Sequence, residues 1–274
     1  MSIGKGVNSL EHNLKIAVDK FVQYRQQLYS EFPHTEIDAV ELGKNIVDAN
    51  VASAEQIWDV LWPKPLYANA KSDSADKKVD ALRDSLQGAW KSMAIEGGPF
   101  EIDRPGRGFA KKSFDIIGPS AQQIVREFRI APHRLCAISG AAKNLSTRAE
   151  KSDTPFADLI SSDLPVLLPV LKENFGFGWG PATILHFLTD LGLACKPDRQ
   201  LVRTIKALGI WEKTREQVNF REAIKVNQIV HVLAEEIYEE VTPEKFRVLD
   251  KNLMDISKYL FKPRFVPAVG CSPP

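Results

Sequence analysis

The chain has 274 residues, of which 44% are hydrophobic and 26% charged, so it is long enough to bury the core of one large domain or two small ones. Its 36 basic and 35 acidic side chains give a formal net charge of +1, which argues against a protein that coats nucleic acid through overall charge but allows local basic patches. The longest uncharged apolar run, residues 164–171, is too short to span a bilayer, and the first residues contain no stretch of signal-peptide type. We therefore expect a soluble, cytoplasmic protein without a membrane partner.

The three cysteines, Cys136, Cys195 and Cys271, lie far apart, and none of them has C-x-x-C spacing to another. This pattern argues against a disulfide framework, a structural zinc site and a four-cysteine iron–sulfur cluster. We expect neither a metal centre of this kind nor an organic cofactor.

The first 150 residues are patterned mainly as helices, because apolar residues recur at three- and four-residue steps. Pro33 is expected to end the first helix, and Ser53 has the residue type of an N-cap. Residues 64–73 are polar and interrupted by Pro65, which predicts a loop. The helices are predicted over residues 8–31, 36–50, 53–61, 74–96, 119–128 and 131–145.

Residues 101–113 form the most basic loop of the sequence, with glycines and a proline between its cations. Such a loop could contact a nucleic-acid backbone or enter a duplex as a wedge, and an ordinary solvated loop fits the pattern equally well. Its candidate DNA-binding residues are Arg104, Arg107, Lys111 and Lys112.

The rest of the sequence is patterned as shorter helices, without a good β-hairpin signal or a fixed-period repeat, so the predicted fold class is all-α. Residues 146–154 are polar, which predicts two helical lobes over 1–150 and 151–262. The proline-rich residues 263–274 are expected to form an extended tail. The helices of this part are predicted over residues 155–161, 163–174, 181–191, 198–208, 220–240 and 243–260.

A glycine-rich segment, Gly-Phe-Gly-Trp-Gly-Pro at residues 176–181, separates two of these helices. Glycine allows a positive φ and the close approach of another backbone, and Pro181 suits the first position of the following helix. The N–H groups at that helix start, together with its dipole, form a site for an anion such as a DNA phosphate. The alternative, which the spacing alone favours, is a helix–helix turn without a ligand.

Asp198 opens the next predicted helix, where its carboxylate is a natural N-cap. An acid held in this way suits the stabilisation of a nearby cation better than the donation of a proton. A lone N-cap aspartate is usually only a cap, and most scattered cations are only solvated. The cations around this helix start, where a DNA backbone could lie, are Lys196, Arg199, Arg203 and Lys206.

In combination, the hairpin and the aspartate resemble the helix-hairpin-helix superfamily of DNA glycosylases. That family's hairpin has the pattern G-h-G-x-x-x-A, where h is apolar. Asp198 follows Ala182 by 16 residues, the spacing at which the family places its catalytic aspartate. The match covers about residues 160–215 and includes Gly176, Phe177, Gly178, Ala182, Asp198, Arg203 and the pair Leu208-Gly209.

The resemblance implies two helical lobes with an active cleft between them and excision of a damaged or modified base from double-stranded DNA. It implies Asp198 as the catalytic carboxylate and the amides of residues 176–180 as a clamp on a phosphate. Bifunctional members carry a nucleophilic lysine where this sequence has Gly180, and some members carry an iron–sulfur cluster, for which this sequence lacks the cysteines. A monofunctional enzyme is therefore implied, and the family also implies a monovalent cation at the hairpin carbonyls.

The base pocket and the biological role stay open at this point. Phe177 and Trp179 could stack on an extruded base, although packing into the core is at least as compatible with them. The expected role is base-excision repair by a monomer, and the unmatched first 150 residues motivate an alternative, defence against phage DNA with modified bases. The competing function is a non-catalytic helix-hairpin-helix DNA-binding module, which would have no need of the Asp198 carboxylate.

Overall fold

The computed structural model describes residues 4–37, 39–68, 70–95, 114–115, 117–159, 162–213 and 216–261. Across these ranges the structure is helical and contains no β-strand, which confirms the predicted all-α class. The basic loop with Arg104, Arg107, Lys111 and Lys112 and the tail 263–274 lie outside the described residues. The helices are α1 (Gly4–Glu31), α2 (Ala39–Gly43), α3 (Ala54–Leu61), α4 (Lys64–Tyr67), α5 (Ser72–Leu86), α6 (Trp90–Ile95), α7 (Pro119–Phe128), α8 (Pro132–Ala149), α9 (Leu164–Phe175), α10 (Pro181–Asp190), α11 (Arg199–Ala207), α12 (Phe220–Ile237) and α13 (Pro243–Phe261).

The chain divides into two compact units. The first unit combines Met1–Ile46 with Ala194–Pro274, and the second unit is Val47–Leu193. Residue 150, where the sequence pattern placed a boundary, lies inside the second unit. The end of α8 is tied to the residues that follow it, because Arg148 donates to the Pro155 carbonyl at 3.1 Å and pairs with Asp158 at 2.7 Å.

The first unit is held together by an apolar core to which α1, α11, α12 and α13 contribute. Phe21, Ile205, Val230 and Leu253 are each 0% exposed, and full burial of one such side chain stabilises a fold by roughly 1.5–3 kcal/mol. The hydroxyl of Thr204 also donates to the Leu253 carbonyl at 2.6 Å. These contacts fix α11 against α13, and Asp198 is the N-cap of α11.

The second unit is arranged around α8, which packs against α3, α4, α6, α7 and α9. Arg134, near the start of α8, donates to the carbonyls of Pro65, Leu66 and Ala68 at the end of α4, where the helix dipole favours a cation. The buried Lys64 of α4 pairs with Asp190, the last residue of α10. Through these contacts α8 and α10 are joined by way of α4. No helix in the ranges described is long and apolar enough to cross a membrane.

Local signals in the sequence predict some helix ends correctly and others not. Ser53 forms the predicted cap at the start of α3, as part of a capping box. The predicted loop over 64–73 is wrong, because α4 forms there with Pro65 in its first turn, where a missing N–H costs nothing. The single helix predicted over 74–96 is also wrong, since Gly88, with a φ of +69°, separates α5 from α6.

Candidate active site

The hairpin between α9 and α10 has a backbone that needs glycine at two positions. Gly176 and Gly178 have φ angles of +73° and +86°, in a region that residues with side chains rarely adopt. A Cβ on Gly178 would lie 2.5 Å from the Cβ of Ala137, so the hairpin is pressed against α8. At Gly180 the φ is an ordinary −77°, and no described atom beyond its two chain neighbours lies within 4 Å of the place a Cβ would take.

Trp179 points into the second unit. Its side chain is 0% exposed, its indole N–H donates to the Ala137 carbonyl at 2.8 Å, and its ring centroid lies 4.5 Å from that of Phe175. A ring in this position cannot stack on an extruded base. The suggestion that Trp179 lines a base pocket is therefore wrong, and its indole instead anchors the hairpin on α8. Phe177 is half-buried and stays the hairpin's candidate aromatic.

The start of α10 has the features expected of an anion site. Pro181 is the first helical residue, and Gly180 precedes it as an N-cap that has no side chain to bond the free N–H groups of the first turn. Lys172, in the last turn of α9, donates from Nζ to the Gly176 carbonyl at 3.1 Å, and partial burial lowers its pKa. Lys172 is a site residue that sequence reasoning misses, although its position four residues before Gly176 places it beside the hairpin.

Asp198 is the N-cap of α11, as predicted. Its Oδ1 accepts hydrogen bonds from the backbone N–H groups of Gln200 at 2.9 Å and Leu201 at 3.0 Å. The side chain is half-buried, and among the described residues no hydrogen bond reaches its Oδ2. The carboxylate is therefore held in one orientation by Oδ1, which leaves Oδ2 for a ligand.

The predicted cations of α11 share one face of the helix, because Arg199, Arg203 and Lys206 recur at steps of three and four residues. Arg203 also has a protein partner, since its Nε donates to Oε1 of Glu216 at 2.7 Å. That hydrogen bond lowers the pKa of Glu216, and the positive charges of Arg203, Arg199 and Lys206 act in the same direction. Glu216, which no sequence motif marks, therefore offsets part of the positive charge of this face.

A second carboxyl, Asp250 of α13, interacts with the site. It is 0% exposed, and Nη1 of Arg247 donates to its Oδ2 at 2.6 Å. Burial raises the pKa of Asp250 to about 6; the positive charge of Arg247 opposes the rise, and the negative charge of Asp198 adds to it. No local sequence pattern connects the two carboxyls, because 52 residues separate them.

The two described thiols are unsuited to nucleophilic chemistry. Cys136 and Cys195 are both buried, and neither is part of a disulfide among the described residues. Burial raises the pKa of Cys136 to about 12 and raises that of Cys195 well above its ordinary value. Because the thiolate is the reactive form of cysteine, neither residue is a candidate nucleophile.

The predicted site residues fall into two sets. Asp198 and the cationic face of α11 belong to the first unit, whereas the hairpin residues 176–180 belong to the second. Within the first unit the structure adds Glu216 and Asp250 to the predicted set, and within the second it adds Lys172.

No protein-family model matches the chain, and no curated protein matches it in sequence. Among solved structures, the 8-oxoguanine DNA glycosylase of Thermotoga maritima has a similar fold, with a TM-score of 0.52 and 16% sequence identity. The match covers 90% of this chain and 98% of that one. At this identity the likeness shows the fold alone.

Proposed function

We propose that this protein is a DNA glycosylase that hydrolyses the N-glycosidic bond of a damaged or modified base in double-stranded DNA and leaves an abasic site. The observation that carries the proposal is the Asp198 carboxylate, which two backbone N–H groups hold at the N-terminus of α11 while its Oδ2 stays available. The similarity of the fold to that of a DNA glycosylase supports the proposal.

The proposed reaction begins when the target nucleotide leaves the base stack, since the glycosidic bond is not accessible inside a duplex. Cleavage of that bond develops positive charge on the deoxyribose, as in other glycoside hydrolyses. The Asp198 carboxylate stabilises this charge and orients the attacking water through Oδ2. Its contribution is electrostatic, and it is favoured by an orientation that is fixed before the substrate arrives.

The proposed DNA contacts come from both units. Backbone N–H groups of the hairpin over residues 176–180 and of the first turn of α10 bind a backbone phosphate, for which a helix N-terminus is suited. The N–H groups of Gly176 and Trp179 already donate to the Lys172 and Gly176 carbonyls, so the phosphate is bound by the remaining ones. Arg199, Arg203 and Lys206 bind further phosphates, and the loop with Arg104, Arg107, Lys111 and Lys112 is a further proposed contact. Phe177 is the proposed stacking residue for the extruded base.

A monovalent cation at the hairpin carbonyls fits these residues only in part. The Gly176 carbonyl already accepts hydrogen bonds from Lys172 Nζ at 3.1 Å and from the Trp179 N–H at 3.4 Å. The Lys172 ammonium thus supplies positive charge where a cation would otherwise be held. No step of the proposed mechanism passes through a bound cation.

The proposed biological setting is base-excision repair in the cytoplasm by a monomer. Defence against phage DNA that carries modified bases is the second setting, motivated by the first 150 residues, for which the hairpin motif offers no role. Excision from duplexes that carry a panel of oxidised, alkylated and otherwise modified bases, with native phage DNA beside them, separates the two.

The substitution Asp198→Asn tests the proposal most directly. Asparagine still caps the helix, so the fold is retained, but the negative charge that would face the sugar is lost. We expect release of free base to fall by roughly two or more orders of magnitude, the scale of one lost electrostatic contact in a transition state. DNA affinity in a gel-shift assay should hold or rise, because a charge that repels phosphates is removed.

The matched control is Asp163→Asn, which makes the same chemical change at an exposed N-cap at the start of α9. It should leave base release unchanged, and both variants should keep the parent's melting temperature within a few degrees. If folded Asp198→Asn releases base at the parent's rate, Asp198 is only a helix cap. The non-catalytic DNA-binding module then becomes the better description.

We also propose that the enzyme is monofunctional, because Gly180 stands where bifunctional relatives carry their nucleophilic lysine. Borohydride added during turnover of a cognate duplex should trap no covalent complex with the parent protein. Gly180→Lys is the comparison, since there is open space for a side chain at that position. A trapped complex with the parent would contradict the proposal, and substitution of Lys196 and Lys172 would then identify the amine.

A further inference from the structure

Asp250 differs from the other buried aspartate of α13. Asp255 is 7% exposed and satisfied on both oxygens, because Lys258 lies 2.7 Å from Oδ1 and Lys251 lies 2.9 Å from Oδ2. Asp250 is fully buried, and only its Oδ2 is bonded, to Arg247. Its Oδ1 is buried without a hydrogen-bond partner among the described residues. A purely structural ion pair is expected to resemble Asp255, since an unsatisfied buried carboxylate oxygen costs stability.

The surroundings of Asp250 point to the site. α13 packs against α11, and the segment that leads into α11 contributes Cys195, Lys196 and Asp198. Apart from burial, the groups that affect the pKa of Asp250 are Arg247, Asp198 and Lys196. The pKa of the Cys195 thiol, raised chiefly by burial, is raised further by Asp250 and Asp198. The two carboxyls therefore lie in one electrostatic cluster with two cations.

Titratable groups on the other elements packed against α13 have partners of their own. Tyr29 of α1 donates to Asn252 at 2.6 Å, and Glu41 of α2 accepts from Lys44 at 2.5 Å. His231 of α12 lies 3.4 Å from Glu235. The cluster of Asp250 with Arg247, Lys196 and Asp198 is thus distinct from these pairs.

We propose that Asp250, a fully buried carboxyl with one unpartnered oxygen on the helix that packs against α11, is a positioning residue for the Asp198 site, and that its negative charge strengthens the field that Asp198 exerts on the sugar cation. Being fully buried, Asp250 does not touch the substrate and acts only through its charge. The inference rests on the proposed glycosylase function, because only a reaction that develops positive charge beside Asp198 would use a second negative charge behind it.

The sign of the pH dependence follows from the raised pKa of about 6. Above pH 6 Asp250 is mostly ionised, and the sugar cation is stabilised by two negative charges. Below pH 6 Asp250 is mostly neutral, and only Asp198 contributes. Base release should therefore fall by about tenfold as the pH drops through 6, the rate change that corresponds to one pKa unit of electrostatic interaction.

The activity test is single-turnover base release from pH 4.5 to pH 8, with enzyme in saturating excess over a cognate duplex. In the parent, the fall in rate as the pH drops through 6 forms a limb of the pH–rate profile. Asp250→Asn should show the parent's low-pH rate at every pH, so this limb should be missing. Arg247→Gln removes a cation that holds the pKa of Asp250 down, so its limb should move to higher pH. Asp255→Asn is the control for a buried charge on the same helix, and it should keep the parent's limb.

A second measurement needs no substrate. Carboxyl-carbon NMR titration of Asp250 in the parent and in Asp198→Asn should show the midpoint moving to lower pH when the negative charge of Asp198 is removed. An unmoved midpoint overturns the pairing of the two carboxyls, whatever the fate of the proposed function. Parental rates and an intact limb in Asp250→Asn, or a limb that stays in place in Arg247→Gln, overturn the positioning role. If the midpoint moves but no duplex yields base, the proposed function fails, and the role of Asp250 in it is overturned too.

Discussion

Gly178 of the hairpin leaves little room for a side chain. Its φ of +86° is strained for any other residue, and an added Cβ would meet the Cβ of Ala137 at 2.5 Å. Neither atom belongs to a flexible side-chain end, so either the hairpin or α8 would have to move. The glycine pattern of the hairpin therefore has a packing reason that is independent of any ligand.

We expect Gly178→Ala to lower the free energy of unfolding by about 2 kcal/mol, from backbone strain and overpacking together. DNA affinity should fall with it, because the hairpin amides would shift away from the phosphate. Gly180→Ala is the matched control: its φ is −77° with open space around it, and the loss should stay below about 1 kcal/mol. Urea unfolding and gel-shift titration measure the two effects. Equal stability losses in both variants would contradict the packing argument.

The roles of single residues differ in how well the sequence predicts them. Asp198 was predictable, because an aspartate that follows a proline and opens a helix carries a local signal. The burial of Trp179 was not, since nothing in the hairpin says that Ala137, 42 residues earlier, accepts its indole N–H. Asp250 was missed for the same reason, because its burial and its coupling to Asp198 are products of tertiary packing.

At the scale of the helix, the cationic face of α11 is opposed by an acid from the segment that follows it. Glu216 accepts a hydrogen bond from Arg203, and its pKa is lowered by that bond and by the charges along the face. A phosphate that binds Arg203 has to compete with this carboxylate. This partly exposed ion pair itself contributes little to stability, so its main effect is on ligand binding.

We expect Glu216→Gln to tighten DNA binding. The slope of log affinity against log salt concentration should also become steeper, by up to about the contribution of one phosphate contact. Glu212→Gln is the control, because Glu212 is exposed, lies nearby in sequence and makes the same change in net charge. Arg203→Gln should act in the opposite direction and flatten the salt dependence. The test is DNA affinity measured by fluorescence anisotropy between 50 and 300 mM salt. Identical salt dependences for the two glutamate variants would mean that Glu216 does not affect DNA binding.

The sequence predicts helix ends correctly where the capping interactions involve residues close together in the chain. Ser53 and Asp198 cap their helices through side-chain bonds within three residues, and Pro181 starts α10 for reasons confined to one turn. The break at Gly88 was harder to foresee, because a glycine inside a periodic pattern is compatible with an unbroken helix. The break reflects packing, since α5 contacts α4 and α7 whereas α6 contacts α7 and α8.

At the scale of the whole molecule, the division of the chain was the least predictable feature. A polar stretch over 146–154 has the composition of a linker, yet Arg148 joins it to Asp158 within the second unit. The first unit takes its helices from both the beginning and the last third of the chain. The composition of the sequence does not predict that these distant segments pack together, because the apolar faces of α1 and α13 come into contact only on folding.

The burial of Asp250 should make the free energy of unfolding depend on pH. Its folded pKa of about 6 lies above the ordinary 3.8, so ionisation opposes folding. The stability associated with the neutral carboxyl is fully present below pH 3.8 and is lost as the pH rises through 6. The free energy of unfolding of the parent, minus that of Asp250→Asn, should therefore fall by on the order of 3 kcal/mol between pH 4 and pH 8.

Taking the difference between parent and variant cancels the other titrating groups, which both proteins share. Urea unfolding at each pH, followed by circular dichroism and tryptophan fluorescence, gives the two free energies, and coincident transitions justify treating each protein as two-state. A difference that stays constant from pH 4 to pH 8 would mean that Asp250 ionises equally easily in the folded and unfolded chains. Burial of the half-satisfied carboxyl would then have no net electrostatic consequence for the stability of the fold, because burial is the main cause of the raised pKa.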